Sequence, residues 1–133
     1  MKYLVLKYGI EDKFFIYSRA TSPVALNKDM HPEFQRILTE KGVEFEHRLS
    51  TLISEKEVDS CDYILYMDTN NFMNLSKLFP DKELKNAYRF SSFSNHQDDV
   101  EDPWFTGNYE RCYKTIIECV RNFIKKLVTD GEI

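Results

Sequence analysis

Apolar positions recur at helical spacing through the last quarter of the chain. Tyr109, Tyr113, Ile116, Val120, Phe123 and Leu127 follow one another at three- and four-residue steps, which puts them on one face of an α-helix. A long helix is therefore predicted from Tyr109 to Val128. A second helical face, Phe34, Ile37 and Leu38, follows Pro32 and Glu33 and precedes Gly42. Proline and an acid suit a first turn, and glycine suits the residue after the last. Ser54 and Glu57 have the spacing of a capping box and predict a short helix. Asn71 to Phe79 carries Phe72, Leu75, Leu78 and Phe79, and Pro80 stops it.

Strand patterns fall between these segments. Lys13 to Ala20 (KFFIYSRA) is rich in aromatic and β-branched residues and predicts a strand. Thr21 to Asp29, with Pro23 and Asn27, predicts a loop. Cys61 to Met67 (CDYILYM) is a compact apolar run bounded by Asp and Asn, as in a buried strand. Asn86 to Phe93 has room for a short strand, and Ser94 to Gly107 is a polar loop with one aromatic cluster. Repeats, linkers and low-complexity stretches are absent from the sequence, which predicts one domain over residues 1–133. Strands alternating with helices predict an α/β sandwich of parallel strands joined by right-handed crossovers. Ligands of such folds bind at the C-terminal ends of strands. Asp68 stands at one predicted strand end and the Asp102 loop follows the last, so both are expected to face one cleft.

Composition narrows the chemistry. Of 133 residues, 42 % are hydrophobic, 30 % charged and 14 % aromatic, and the net charge is −4. The acidic balance argues against a nucleic-acid partner, which needs a basic face. Apolar runs fall short of the ~20 residues that span a membrane, and Met1 to Leu6 is too short for a signal peptide. The three cysteines, Cys61, Cys112 and Cys119, have no metal-ligand spacing. Cys112 and Cys119 share a helix face about 10 Å apart, too far for a disulfide. Reduced core thiols of a cytoplasmic protein are expected. His31, His47 and His96 lack the Cys or carboxylate neighbours of a metal site; His31 suits a helix start, and His96 a solvated site near Asp98 and Asp99. Neither metal nor cofactor is expected.

Five segments in order resemble the low-molecular-weight protein-tyrosine phosphatase family. They are G-I-E-D-K-F-F-I (Gly9 to Ile16), S-R-A-T-S (Ser18 to Ser22), M-H-P-E-F-Q-R-I-L-T-E-K-G-V (Met30 to Val43), D-Y-I-L-Y-M-D-T-N-N (Asp62 to Asn71) and E-D-P-W-F-T-G-N-Y-E (Glu101 to Glu110); His47-Arg48 fits the family pattern loosely. The resemblance spans nearly the whole chain. It implies a three-layer sandwich around a parallel sheet and hydrolysis of phosphotyrosine in a protein or of a small aryl phosphate. It makes Asp102 the general acid that protonates the leaving oxygen, Trp104 and Phe105 the wall against the substrate ring, and Asp68 and Asn71 the brace of a phosphate loop. Each residue also has a plainer reading. Asp102 suits a turn before proline, Trp104 and Phe105 suit a hydrophobic anchor, and Asp68 and Asn71 suit a helix cap, the better reading without a phosphate loop. Asp98, Asp99, Glu101 and Asp102 together form an acidic cluster; like-charge repulsion favours a neutral Asp102, but solvated loop charges act weakly on one another.

The family's Cys-x5-Arg-Ser loop has no counterpart in these residues. Six positions beyond Cys61, Cys112 and Cys119 stand Met67, Glu118 and Lys125. The loop's thiolate attacks phosphorus while loop N–H groups and the arginine hold the oxygens. The expectation is an N-terminally truncated, inactive member of the family, or a pseudophosphatase that acts as a binding module. Arsenate reductases share the fold but need a cysteine in the same loop. Trp-Phe in place of Tyr-Tyr also removes the hydroxyls that the family can phosphorylate on this loop. Met1 to Gly9 (MKYLVLKYG) has two readings: the last turns of the family's first helix, which needs no deletion and is preferred, or a replacement for its first strand. Under the helix reading a central strand is missing, and self-association or strand exchange would cover the exposed edges.

Overall fold

A computed structural model describes residues 1–95 and 98–133; His96 lies outside the described residues. Six α-helices and two strands run in the order α1 (Lys2–Lys7), α2 (Pro32–Glu40), α3 (Glu55–Ser60), β1 (Ile64–Tyr66), α4 (Thr69–Leu78), β2 (Ala87–Arg89), α5 (Pro103–Thr106) and α6 (Tyr109–Thr129) among the described residues. The strands are parallel, with Ile64 opposite Ala87 and Tyr66 opposite Arg89, and α4 makes the crossover between them. The architecture is α/β with a parallel sheet.

Alternation along β1 builds the layers. Tyr63, Leu65 and Met67 pack on a core made by Leu4 and Val5 of α1 and Cys112, Cys119, Val120, Phe123, Ile124 and Leu127 of α6. Tyr66 points the other way and meets Phe72 of α4, ring centres 5.1 Å apart. Successive strand residues face opposite sides, so helices cover both faces of the sheet. Tyr63 and Phe93 each set a ring edge-on against Phe123, at 5.1 and 5.0 Å.

Pro32 opens α2 and Ser54 caps α3 as predicted, whereas α4 starts at Thr69, two residues before the predicted Asn71, because Asp68 is its N-cap. Ser54 and Glu57 form the capping box of α3, and α6 runs one residue beyond its predicted end. Met1 to Gly9 holds helix α1 and no strand, so the replacement-strand reading is corrected. Gly42, at φ +70°, follows the end of α2 and donates its N–H to Thr39 O, the left-handed exit that glycine supplies without strain.

Two strand expectations are corrected. Lys13 to Ala20 forms no ladder. Glu11–Lys13 is a 3-10 turn, and the segment after it bonds as a strand only at Ala20, bridged in parallel to Leu52. Side-chain alternation survives there: Phe14 and Ile16 pack on the core while Phe15 is 91 % exposed. Among the described residues no neighbouring strand completes the backbone pairing. Cys61 to Met67 is likewise shorter and less buried than expected. Only Ile64–Tyr66 is strand and each residue is half-buried, because β1 pairs with β2 along one edge and, among the described residues, with no strand along the other.

Candidate active-site loop

The acid loop is tied to the end of β1 by backbone and side chain together. Val100, 1 % exposed, donates its N–H to Met67 O at 2.8 Å. Asp99 accepts from the N–H and the hydroxyl of Thr69, each at 3.0 Å from Oδ2, and its Oδ1 lies 3.3 Å from Nε of Arg89. These contacts hold Asp99 and Val100, which lead into the Asp102 loop, at the strand end where Asp68 stands.

Asp68 and Asn71 cap α4 reciprocally. Asp68 Oδ1 accepts from Asn71 N at 2.8 Å. Asn71 Oδ1 accepts from Asp68 N and Met67 N, both at 3.2 Å. Asp68 Oδ1 and Asn71 Oδ1 are both turned to the helix and strand backbone, as a capping role requires.

Asp102 caps a helix that the loop reading did not anticipate. Its Oδ1 accepts from Trp104 N at 3.0 Å at the start of α5, and Pro103 occupies the first turn. Gly107 ends α5 at φ +72°, donating to Pro103 O at 2.8 Å. The Asp-Pro dipeptide is an N-cap followed by N1 proline, and that signal could have located α5. The short helix presents Trp104 and Phe105 outward, 70 % and 82 % exposed. Such exposure is unlike an anchor buried in the core.

The acidic cluster is compensated around Asp102. Both carboxylate oxygens of Glu101 accept from Arg111, Nε and one terminal nitrogen, each at 2.7 Å. These bonds hold the Glu101 carboxyl below its ordinary range, against the opposing pull of burial. Asp99 has the Thr69 and Arg89 partners already described. The negative charge of the cluster is thus offset at Glu101 and Asp99.

Three aromatic groups lie behind the wall. The His31 ring stacks on Tyr109, centres 4.8 Å apart and 21° from parallel, and meets Trp104 edge-on at 5.8 Å. Phe34 meets Tyr109 edge-on at 5.3 Å. The sequence shows His31 at a helix start and Tyr109 on a helix face; their meeting beside Trp104 joins residues far apart in the chain and has no local signal.

The thiols are placed for packing. Cys112 and Cys119 are 1 % and 0 % exposed. Burial, with the charges of Glu101 and Asp102 added, pushes Cys112 up to about 11. Burial raises Cys119 as well. Cys112 points at the Glu101 carbonyl, 3.4 Å away, so it braces the loop from beneath. Cys61 lies at the end of α3, 2.7 Å from the Tyr17 hydroxyl. Among the described residues no group of three or more His, Cys, Asp or Glu is arranged to hold a metal ion, and no helix is long and apolar enough to cross a membrane.

Comparison with known proteins agrees with this geometry. The family model described as low molecular weight phosphotyrosine protein phosphatase matches residues 1–132. The low molecular weight protein-tyrosine-phosphatase PtpA of Staphylococcus aureus is 29 % identical over 119 residues, 89 % of this chain and 75 % of that protein. The crystal structure of YfkJ from Bacillus subtilis superposes with a TM-score of 0.85 at 27 % identity, covering 97 % of this chain and 82 % of that one. SP-PTP, a low molecular weight protein tyrosine phosphatase from Streptococcus pyogenes, gives 0.81 at 25 % identity, covering 95 % and 81 %. The chain belongs to the low molecular weight phosphotyrosine protein phosphatase family.

Proposed function

We propose that these 133 residues carry the acid and ring-binding half of a phosphotyrosine phosphatase site and, as a polypeptide of this sequence, do not perform the covalent reaction. The observation that carries the reading is the state of the thiols. A phosphorus-attacking cysteine is an accessible thiolate, its pKa lowered by loop amides and a helix N-terminus. Cys112 and Cys119 are buried and shifted the opposite way, and Cys61 is hydrogen-bonded to Tyr17. Arginine does not stand six residues beyond any of them, so the partner that would hold the phosphoryl oxygens is missing too.

Asp102 in this reading is the residue that would protonate a leaving phenolate oxygen. Its exposed position on α5, beside two outward aromatics, suits that role. Trp104 and Phe105 would flank the departing ring. Asp68 and Asn71 would support the strand end through the cap they form. The test is hydrolysis of para-nitrophenyl phosphate by the purified chain. No release of nitrophenol above the buffer rate is expected; release that falls on Asp102→Asn and co-elutes with the chain would overturn the reading.

The exposed aromatic pair favours a second reading, a binding module for a phosphotyrosine segment. Titration calorimetry with a phosphotyrosine peptide tests it. Heat that disappears on Trp104→Ala supports it, and the absence of heat at millimolar peptide sinks it.

A further inference from the structure

We propose that His31 is a positioning residue for Trp104, fixing the angle at which the indole is presented beside Asp102. The proposal rests on reading Trp104 as a ligand wall, and it names what holds that wall.

Trp104 sits on a four-residue helix and is 70 % exposed. A side chain so exposed has few contacts to choose its rotamer, yet a ring-binding wall must be held before the ligand arrives. Its indole meets the His31 ring edge-on, with an interplanar angle of 72°. His31 is itself held from two directions. Its Nδ1 accepts from Glu33 N at 3.1 Å, which caps α2 and fixes the ring relative to that helix. Its flat face stacks on Tyr109 in the first turn of α6. Tyr109 is in turn fixed edge-on by Phe34 of α2, and Lys41, the residue that ends α2, pairs with Glu110 of α6 at 2.8 Å. The rings Phe34, Tyr109, His31 and Trp104 make a ladder from the α2–α6 contact out to the acid loop.

The hydrogen bond also fixes the ring's chemistry. An Nδ1 that accepts carries no proton, so the N–H of the neutral ring is on Nε2. The cap and the ladder therefore make separate demands on the same residue. An asparagine could cap the helix but has no ring. A phenylalanine could stack but cannot cap. This separation distinguishes a positioning role from a merely structural one.

Trp104 is the sole tryptophan of the chain, so its fluorescence reports this contact without labelling. His31→Asn is expected to keep the circular dichroism of the parent, lower the indole anisotropy and raise acrylamide quenching. The rise is expected to be small, since 70 % of the residue is already exposed. His31→Phe is expected to keep the anisotropy and lose thermal stability. Parent-like anisotropy and quenching in the folded asparagine variant would reduce His31 to a helix cap and overturn the proposal. So would lost anisotropy in a folded phenylalanine variant. Should either variant unfold, proton–proton cross-relaxation between the imidazole and indole rings of the parent decides: its presence supports the contact and its absence overturns it. A ligand arm uses phenyl phosphate. If the parent binds it, His31→Asn should weaken binding about two- to tenfold, the scale of immobilising one side chain on binding, and unchanged affinity would contradict the proposal. If the parent does not bind it, the wall reading fails while the fluorescence result on His31 still stands.

Discussion

Asn71→Ala tests whether the Asp68–Asn71 pair acts as a cap. Asn71 Oδ1 accepts two backbone N–H groups, Met67 and Asp68, where β1 turns into α4. Truncation leaves both donors without that acceptor. At about 0.5–1.5 kcal/mol net per bond, the loss is about 1–3 kcal/mol. Asp68→Ala removes a single bond, to Asn71 N, and should cost about 1 kcal/mol, as N-cap truncations do. The predicted order is therefore Asn71→Ala worse than Asp68→Ala. Asn71→Asp keeps the acceptor and adds a negative charge at a helix N-terminus, so it should stay near the parent. Urea unfolding followed by far-UV circular dichroism is the assay. With a slope of roughly 2 kcal/mol per molar urea, a 2 kcal/mol loss moves the midpoint by about 1 M. A shift under about 0.2 M for Asn71→Ala, or a larger one for Asp68→Ala, would refute the capping account.

Further outcomes follow from the core and the loop. Phe123→Ala, at a residue 3 % exposed and contacted by Tyr63 and Phe93, should cost about 3–5 kcal/mol in the same assay; a loss under about 1 kcal/mol would mean the ring cluster is looser than described. Ellman's reagent at pH 8 should find at most one reactive thiol in the native chain and all three after unfolding, because Cys112 and Cys119 are buried. Two or more native reactions would contradict that. Glu101 has a folded pKa below its unfolded one, set first by Arg111. Its contribution is present above the ordinary glutamate value, about 4.3, and is lost as pH falls through the lower folded value. Glu101→Gln should therefore lower stability at neutral pH and lose its effect in strong acid, and a deficit that persists undiminished there would show that the ion pair is not its source.

Local signals in the sequence were read well, and contacts between distant segments were not. Ser54 and Glu57 lie three residues apart and met as predicted. Tyr109 to Val128 repeats its apolar residues often enough to fix a helix face. Asp102 and Pro103 sit side by side and still hid a helix, because four residues leave no period to detect. Lys13 to Ala20 misled for a different reason. Its residues favour an extended backbone and alternate correctly, but a strand is also a matter of what lies beside it, and composition cannot supply that. The candidate site divides the same way. Asp102, Trp104 and Phe105 stood in one motif, whereas the ladder through His31 and Tyr109 joins positions 31 and 109 by folding alone. Arg111, the partner of Glu101, lies ten residues away across α5, a spacing that only the turn at Gly107 makes short.

The central claim is that no thiol in these 133 residues attacks phosphorus. Rapid-quench labelling tests it most directly: the purified chain is mixed with a 32P-labelled aryl phosphate, denatured within milliseconds and mapped by peptide. The account predicts no phosphate on Cys61, Cys112 or Cys119. Stoichiometric label on any one of them, abolished by its change to serine, would contradict it.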